Sequence, residues 1–485
     1  MTARDLALAS TPQAPFRFDI RIVESCQGGL SWTVTLGEGS AGSGLARTCE
    51  YHLPTRQQSS YLDLFARLAQ DMGTRVPRSR QEVGAPSFSA PYEPLLTENL
   101  GPGILYGYGD PAVIRVPEVP GSQNGGVYYL AVTSNDAPDA FPILASNDLR
   151  HWQPRGFIFP RERRPGWAAD GEGIGDYWAP EIHRLGDCYL ACFTARMKDR
   201  TLAIGMAWAP APDGPFVAAD EPLLRGGVID PHVFVGRDGI AHLFWKEDTN
   251  DLWPGHLCEL IREHGGLIAA LFPLPEDQRT AALVQALWPW IRTLEPMERF
   301  LVLQVLIEAV TSDFTGFQRR LAELRPRQDQ AVRERIDGML IAMRTRVRAQ
   351  RLAADGSRLL GRPTTVLEND QPWEAHLVEG IWVTEQAGRH YLLYAGNDFS
   401  TAEYGIGVAV AEQVLGPYRK MEQPLLRSTR EWIGPGHPSV APGLDGRPQL
   451  FLHAFRPGRL GYKEFRALLT VPLGFEADGV VLRRG

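Results

Sequence analysis

Short runs of apolar and aromatic residues recur through most of the chain, each bounded by glycine, proline or a polar turn. That texture predicts strands joined by tight turns. One pattern returns five times: a turn motif, an apolar run, a glycine turn, then an aromatic-rich run. The copies are Asp110-Pro-Ala-Val-Ile-Arg-Val with Val127-Tyr-Tyr-Leu-Ala, Ala179-Pro-Glu-Ile-His with Cys188-Tyr-Leu-Ala-Cys-Phe, Asp230-Pro-His-Val-Phe-Val with Ala241-His-Leu-Phe-Trp, Glu379-Gly-Ile-Trp-Val with His390-Tyr-Leu-Leu-Tyr, and His437-Pro-Ser-Val-Ala with Pro448-Gln-Leu-Phe-Leu-His. A further repeat aligns the stretch from Gly205 to Leu224, without gaps, on that from Gly407 to Leu426, with eight of twenty positions identical. Five similar β units predict an all-β five-bladed β-propeller, in which radial repetition leaves only short, protected edges.

The units are unevenly spaced. Three steps between them are 70, 50 and 58 residues, but the step from Asp230 to Glu379 is 149. Across the excess the apolar period becomes helical. Leu257, Leu260, Ile261 and Leu267 share a face, Leu301, Val305 and Leu306 recur behind Pro296, and Val332, Ile336, Met339, Leu340 and Met343 mark a last long helix. These positions predict an α-helical insertion over 253–348, within blade three. It serves as a structural cap, a lid over the site or an oligomer contact. The first hundred residues read separately. Phe16-Arg-Phe-Asp-Ile-Arg-Ile-Val and Leu30-Ser-Trp-Thr-Val-Thr-Leu alternate as strands do, and Tyr61-Leu-Asp-Leu-Phe-Ala-Arg-Leu-Ala is helical. A small N-terminal α+β accessory domain over 1–100 is therefore expected, followed by the propeller over 101–485.

Composition narrows the classes. Of 485 residues, 44% are hydrophobic, enough for a sizeable core, and 50 basic residues against 57 acidic ones give a net charge of -7. A nucleic-acid or anionic-membrane partner is not expected of such a balance. No uninterrupted apolar window has membrane-spanning length, and Met1 to Asp5 lead into no signal-type apolar core. The reading is a soluble, cytoplasmic protein. The five cysteines, Cys26, Cys49, Cys188, Cys192 and Cys258, are too sparse for a disulfide framework or a zinc site. Basic residues are almost all arginine, and lysine stands only at 198, 246, 420 and 463, which reads as genomic bias.

Chemistry enters through the turn motifs. Two units open on Asp-Pro and one on Glu-Gly. In a propeller the innermost strands line one channel, so acids at equivalent positions converge at one end of the axis. Two such carboxyls suit hydrolysis of a glycosidic bond, one activating water and the other protonating the leaving oxygen. The set Tyr108-Gly-Asp110-Pro, Tyr177-Trp-Ala-Pro-Glu181, Val228-Ile-Asp230-Pro, Trp373-Glu with Val378-Glu379-Gly, and Gly434-Pro-Gly-His437 resembles glycoside hydrolase family 43. That family contains β-xylosidases, α-L-arabinofuranosidases and arabinanases on a five-bladed propeller.

The resemblance implies an inverting mechanism with Asp110 as general base, Glu379 as general acid and Asp230 tuning that acid. It also implies substrate contacts at Glu181, His437 and Arg466, the alternative for Arg466 being a surface position. His437 matches a channel histidine that in some members meets a metal ion directly or through water. No cofactor is required, and a structural calcium or sodium ion in the channel is the one ion the resemblance leaves room for. Two departures stand out: Glu181 replaces the usual Asp, and Ile381 replaces a proline after Glu-Gly. Trp178, Trp382 and Trp373 are candidate sugar platforms or core residues. The expected substrate is a small oligosaccharide carrying arabinofuranosyl or xylosyl units, and homo-oligomerisation through the N-terminal domain or the insert is open. The alternatives are a non-catalytic carbohydrate-binding propeller and a retaining or phosphorolytic propeller enzyme. The retaining fructan-type enzymes use an Asn-Asp-Pro-Asn motif that this chain lacks.

Overall fold

In the computed structural model, residues 4–25, 28–37, 46–81, 88–117, 125–171 and 175–483 are described. Cys26 and the first residues of the N-terminal stretch considered above lie outside them. The other four cysteines are free thiols.

Five antiparallel sheets follow one another along residues 84–248 and 345–485, which form one unit. Their first strands are Ala112–Val116, Trp178–Leu185, Val228–Val235, Val378–Gln386 and Ile433–Pro442. Each first strand neighbours the next, and the fifth neighbours the first, so the circuit closes. Second strands lie between covered faces. Leu190 through Ala195 are all buried, which explains why they read as continuous apolar runs rather than alternating ones. The two long repeat copies occupy the same place in sheets two and four. Each runs from the third strand (Leu202–Ala209, Gly405–Ala411) through a cis Gly-Pro turn to a short edge strand (Val217–Ala218, Arg419–Lys420).

The expected N-terminal boundary at residue 100 moves to 83/84. Glu93–Leu96 is not accessory; it pairs with Ala467–Glu476 of sheet five, and buried Leu96 joins the core formed by Leu130, Phe451 and Leu468. Sheet three shows where the chain departs. Ala241–Glu247 pairs directly with Arg346–Leu352, Lys246 opposite Val347, although about a hundred residues separate them.

Those residues, 249–344, form one unit with residues 1–83 rather than a subdomain of their own. The reason is burial. Strands Arg4–Ala9, Arg17–Glu24, Leu30–Gly37 and Arg47–Leu53 make a single antiparallel sheet whose Phe18, Ile20, Ile22, Trp32 and Val34 need cover. Helix Pro275–Ile291 is buried along almost its whole length from Thr280 to Trp288, more than one helical neighbour can hide. Sheet and helix supply each other. Trp32 and Trp290 meet edge-to-face with centroids 5.4 Å apart, and the Ser10 hydroxyl donates to the Ala282 carbonyl at 3.2 Å. Among the described residues no single helix is long and apolar enough to cross a membrane.

A buried ion pair joins the two chain segments of this unit. Arg75 forks onto Asp277, Nε to Oδ1 at 2.6 Å and the second nitrogen to Oδ2 at 3.2 Å. Both side chains are nearly inaccessible, at 11% and 3% exposure. Removing one partner leaves a buried charge unpaired, which costs about 3–5 kcal/mol. Asp277→Ala is therefore expected to lower unfolding stability by roughly 3 kcal/mol, read by denaturant unfolding. A loss below about 1 kcal/mol, the value of a solvated pair, would contradict the burial argument.

Candidate active site

Four of the five first strands carry the same irregularity near their start. Their register shifts between Trp178 and Glu181, Ile229 and His232, Glu379 and Trp382, and Gly436 and Ser439. Inside each shift lies a left-handed residue: Ala179 (φ 45), Asp230 (φ 54), Gly380 (φ 58) and His437 (φ 51). Asp110 (φ 53) takes the same conformation just before the first strand of sheet one. Four of the five precede proline. Asp and His tolerate this region better than most residues, and such positions collect at functional sites.

This geometry corrects one sequence expectation. Asp110 and Asp230 do occupy equivalent positions, but Glu379 does not. Gly380 holds that position, and Glu379 comes one residue earlier, level with Trp178 and Gly436. The cause is space. A Cβ on Gly380 would lie 3.0 Å from His437 Nδ1 and 3.1 Å from its Cα, so a side chain there would have to push His437 aside, and the carboxyl comes from the neighbour.

Asp110 is held on both oxygens. Arg466 donates to Oδ1 at 2.8 Å, Thr133 donates to Oδ2, and His437 Nδ1 lies 3.4 Å from Oδ1. The Thr133 hydroxyl is itself oriented by the Ala179 amide, which donates to it at 2.8 Å. Gly109 makes room for the guanidinium, since a Cβ there would sit 1.8 Å from Arg466 Cζ. Burial pushes the Asp110 carboxyl up, but Arg466 above all, with His437 and the Thr133 hydroxyl, outweighs it and holds the group well below the usual carboxylate range. His453, driven neutral by burial and by Arg466, accepts the Asp110 amide on Nδ1 at 3.1 Å. Arg466 is thus no surface arginine; it is the buried partner of Asp110.

Glu379 has a donor on each oxygen: Lys246 Nζ on Oε2 and the Tyr404 hydroxyl on Oε1, both at 2.9 Å. Asp230 lies beside it. Its Oδ2 accepts the Gly380 amide at 2.9 Å, and its own amide donates to Thr194 Oγ1 at 3.0 Å. Burial raises the Asp230 carboxyl, the negative charges of Glu379 and Asp110 raise it further, and His437 and Lys246 oppose them. The three acids therefore feel one another.

The remaining candidates separate. Glu181 is not a free substrate contact: one of its oxygens accepts from His183 Nε2 at 2.6 Å and from His232 Nδ1 at 2.9 Å. Trp382 is no open platform either. It is 7% exposed and packs on His232, ring centroids 4.7 Å apart. Trp373, half-buried in the turn Pro372–Glu374 before sheet four, stacks on Tyr394 of that sheet with ring centroids 5.8 Å apart. Trp178 remains partly exposed, with its indole N–H on Asn135 Oδ1 at 3.1 Å and Arg196 5.9 Å above the ring.

Glu181, His183 and His232 bring ligand atoms within 4.8 Å of one another, the spacing of a metal site. The hydrogen bonds rule His232 out as a ligand. The Val383 amide donates to its Nε2 at 2.9 Å, so Nδ1 carries the proton and donates to Glu181. A ligating imidazole needs the reverse, a free lone pair on the ligating nitrogen and a proton on the other. His437 belongs to no such three-donor group among the described residues. The Glu181, His183 and His232 trio therefore does not fit a bound metal.

Sequence reasoning missed Lys246, Tyr404, Thr133 and His453. Lysine scarcity was a usable signal, because three of the four lysines sit in ion pairs with buried carboxylates: Lys246 with Glu379, Lys420 with Glu374, and Lys463 with Asp136.

The family model described as glycosyl hydrolases family 43 matches residues 107–269 and 335–481. The chain belongs to that family. The gap in the match, 270–334, falls within the helices, and residues 1–106 precede it. Xylosidase/arabinosidase 43A of Humicola insolens is 38% identical over 80 residues, 16% of this chain and 23% of that protein. The match thus spans under a quarter of that relative. Two solved structures share the fold. A thermostable family-43 glycoside hydrolase has a TM-score of 0.53 at 21% identity, covering 79% of this chain and 95% of the other. An endo-1,4-beta-xylanase from Bacteroides thetaiotaomicron VPI-5482 has a TM-score of 0.51 at 16% identity, covering 79% and 96%.

Proposed function

We propose that this family-43 chain is an inverting glycoside hydrolase that releases arabinofuranosyl or xylosyl units from small oligosaccharides, with its five sheets as propeller blades. One observation carries the reading: Asp110, Asp230 and Glu379 converge at the same end of the first-strand circuit in three different electrostatic settings. Asp110, kept ionised, takes a proton from water as the water oxygen attacks the anomeric carbon. The glycosidic C–O bond breaks, its electron pair goes to the leaving oxygen, and that oxygen takes the proton of Glu379. Asp230, held by the Gly380 amide on its Oδ2, adds a second buried carboxyl beside Glu379. The family membership, the xylosidase/arabinosidase name of the curated relative and the xylanase among the fold neighbours support the pentose assignment.

A panel of aryl arabinofuranosides, aryl xylosides and the corresponding short oligosaccharides, with the first-formed anomer followed by NMR, tests this. Inverted pentose is the expected product. Retained configuration, or no release from any member, overturns the reading.

Arg466 gives a pH test. Burial alone would raise Asp110, and Arg466 is the largest of the groups that lower it. Because the base works only when ionised, activity is present above its pKa and lost as pH falls through it. Arg466→Met is expected to move the acid limb of kcat/KM upward by at least about one pH unit, equivalent to about 1.4 kcal/mol. An unmoved limb would mean that Asp110 does not govern it.

A further inference from the structure

Lys246 stands on the second strand of sheet three, with no side-chain exposure, and reaches across to the first strand of sheet four. Its Nζ is 2.9 Å from Glu379 Oε2 and 3.4 Å from Asp248 Oδ1. The proposed chemistry gives this cation no step of its own. The ion pair fits one moment of that chemistry better than any other. Before the step Glu379 must carry a proton; after it, a carboxylate remains in a buried site beside Asp230. We propose that Lys246 is a positioning residue for proton donation, holding the Glu379 carboxyl in place and stabilising the carboxylate that forms as its proton leaves. This rests on the reading of Glu379 as general acid.

The groups around Glu379 leave that task to Lys246. Asp230, from the first strand of sheet three, is an acid and opposes a second negative charge. Tyr404, from the turn before the third strand of sheet four, donates a neutral hydroxyl, and burial together with the Glu379 charge holds its proton firmly. His437, from sheet five, lies closer to the Asp110 side, 3.4 Å from Oδ1. Lys246 is the cation hydrogen-bonded to Glu379. Burial works against its charge, yet Glu379, Asp248 and Asp230 outweigh burial and hold the ammonium above its usual range. It stays protonated throughout and transfers nothing.

The test uses leaving groups. Donation matters for a sugar leaving group and hardly at all for dinitrophenolate, so the ratio of kcat on a short oligosaccharide to kcat on the dinitrophenyl glycoside isolates it. The ratio is also independent of how much variant enzyme is folded. Lys246→Met and Lys246→Gln are expected to lower the ratio at least about tenfold, within the ~10²–10⁴ that the whole acid term supplies, with little change in KM. Lys246→Arg, which keeps the charge, is expected to bring it back toward the parent value. An unchanged ratio in both neutral variants overturns the proposal and leaves Lys246 a packing residue. Glu379→Gln is run beside them. If it too leaves the ratio unchanged, the acid assignment has failed. If it lowers the ratio and the lysine variants do not, only the role of Lys246 has failed.

Discussion

Asp110→Asn is expected to cut turnover by about 10²–10⁴ on every substrate, whatever the leaving group, because an amide cannot take the proton of the attacking water. The size of the effect follows from how completely the native carboxylate is committed. Arg466 and Thr133 each donate to one of its oxygens, and His437 stands beside the first. Asn keeps the shape, and its carbonyl can still accept from Arg466. Its NH₂ then faces Thr133, whose hydroxyl must turn from donor to acceptor while it still accepts from the Ala179 amide. The fold is expected to survive, since Arg466 keeps a partner and the left-handed backbone at 110 suits Asn as well as Asp. Steady-state kinetics with thermal unfolding as control decide it. Near-parent turnover by a folded variant would remove Asp110 from the chemistry.

The strands and their repeat were legible because buried second strands and turn-bounded first strands write themselves into the sequence as apolar runs and Gly/Pro punctuation. Asp110, Asp230 and Glu379 were legible as acids at the mouths of repeated units. Two things were not. The repeat alignment placed Glu379 on the same position as the two aspartates. The true register depends on Gly380 fitting against His437, a contact between sheets four and five that no local pattern carries. The joining of residues 1–83 to residues 249–344 was equally hidden, because the mutual need of one half-covered sheet and one helix buried all round from Thr280 to Trp288 appears only when both are placed. Sequence did separate helix from strand correctly in the insert, where Leu257, Ile261, Ile336 and Met339 are all buried at helical spacing. Trp382 and Trp373 show the limit of residue type as evidence: an aromatic beside a motif became a packing residue because sheet four needed filling.

Glu379→Gln carries the largest selective effect. On short oligosaccharides turnover is expected to fall at least about 100-fold, the low end of what a general acid supplies. On a dinitrophenyl glycoside, whose leaving group needs no proton, the loss is expected to be small. A structural defect would reduce both alike. The same substitution has a second, independent consequence. Lys246 is fully buried and hydrogen-bonded to Glu379, with Asp248 further away at 3.4 Å. Making residue 379 neutral leaves that ammonium without its nearer counter-charge, and breaking a buried pair from one side costs about 3–5 kcal/mol. Replacing both charges with neutral groups removes the uncompensated ion. The double variant Lys246→Met/Glu379→Gln is therefore expected to unfold at a higher denaturant concentration than Glu379→Gln alone, although it is no more active on oligosaccharides. If the double variant is instead the less stable one, the ammonium was not relying on Glu379, and the buried pair is weaker than its 2.9 Å contact implies.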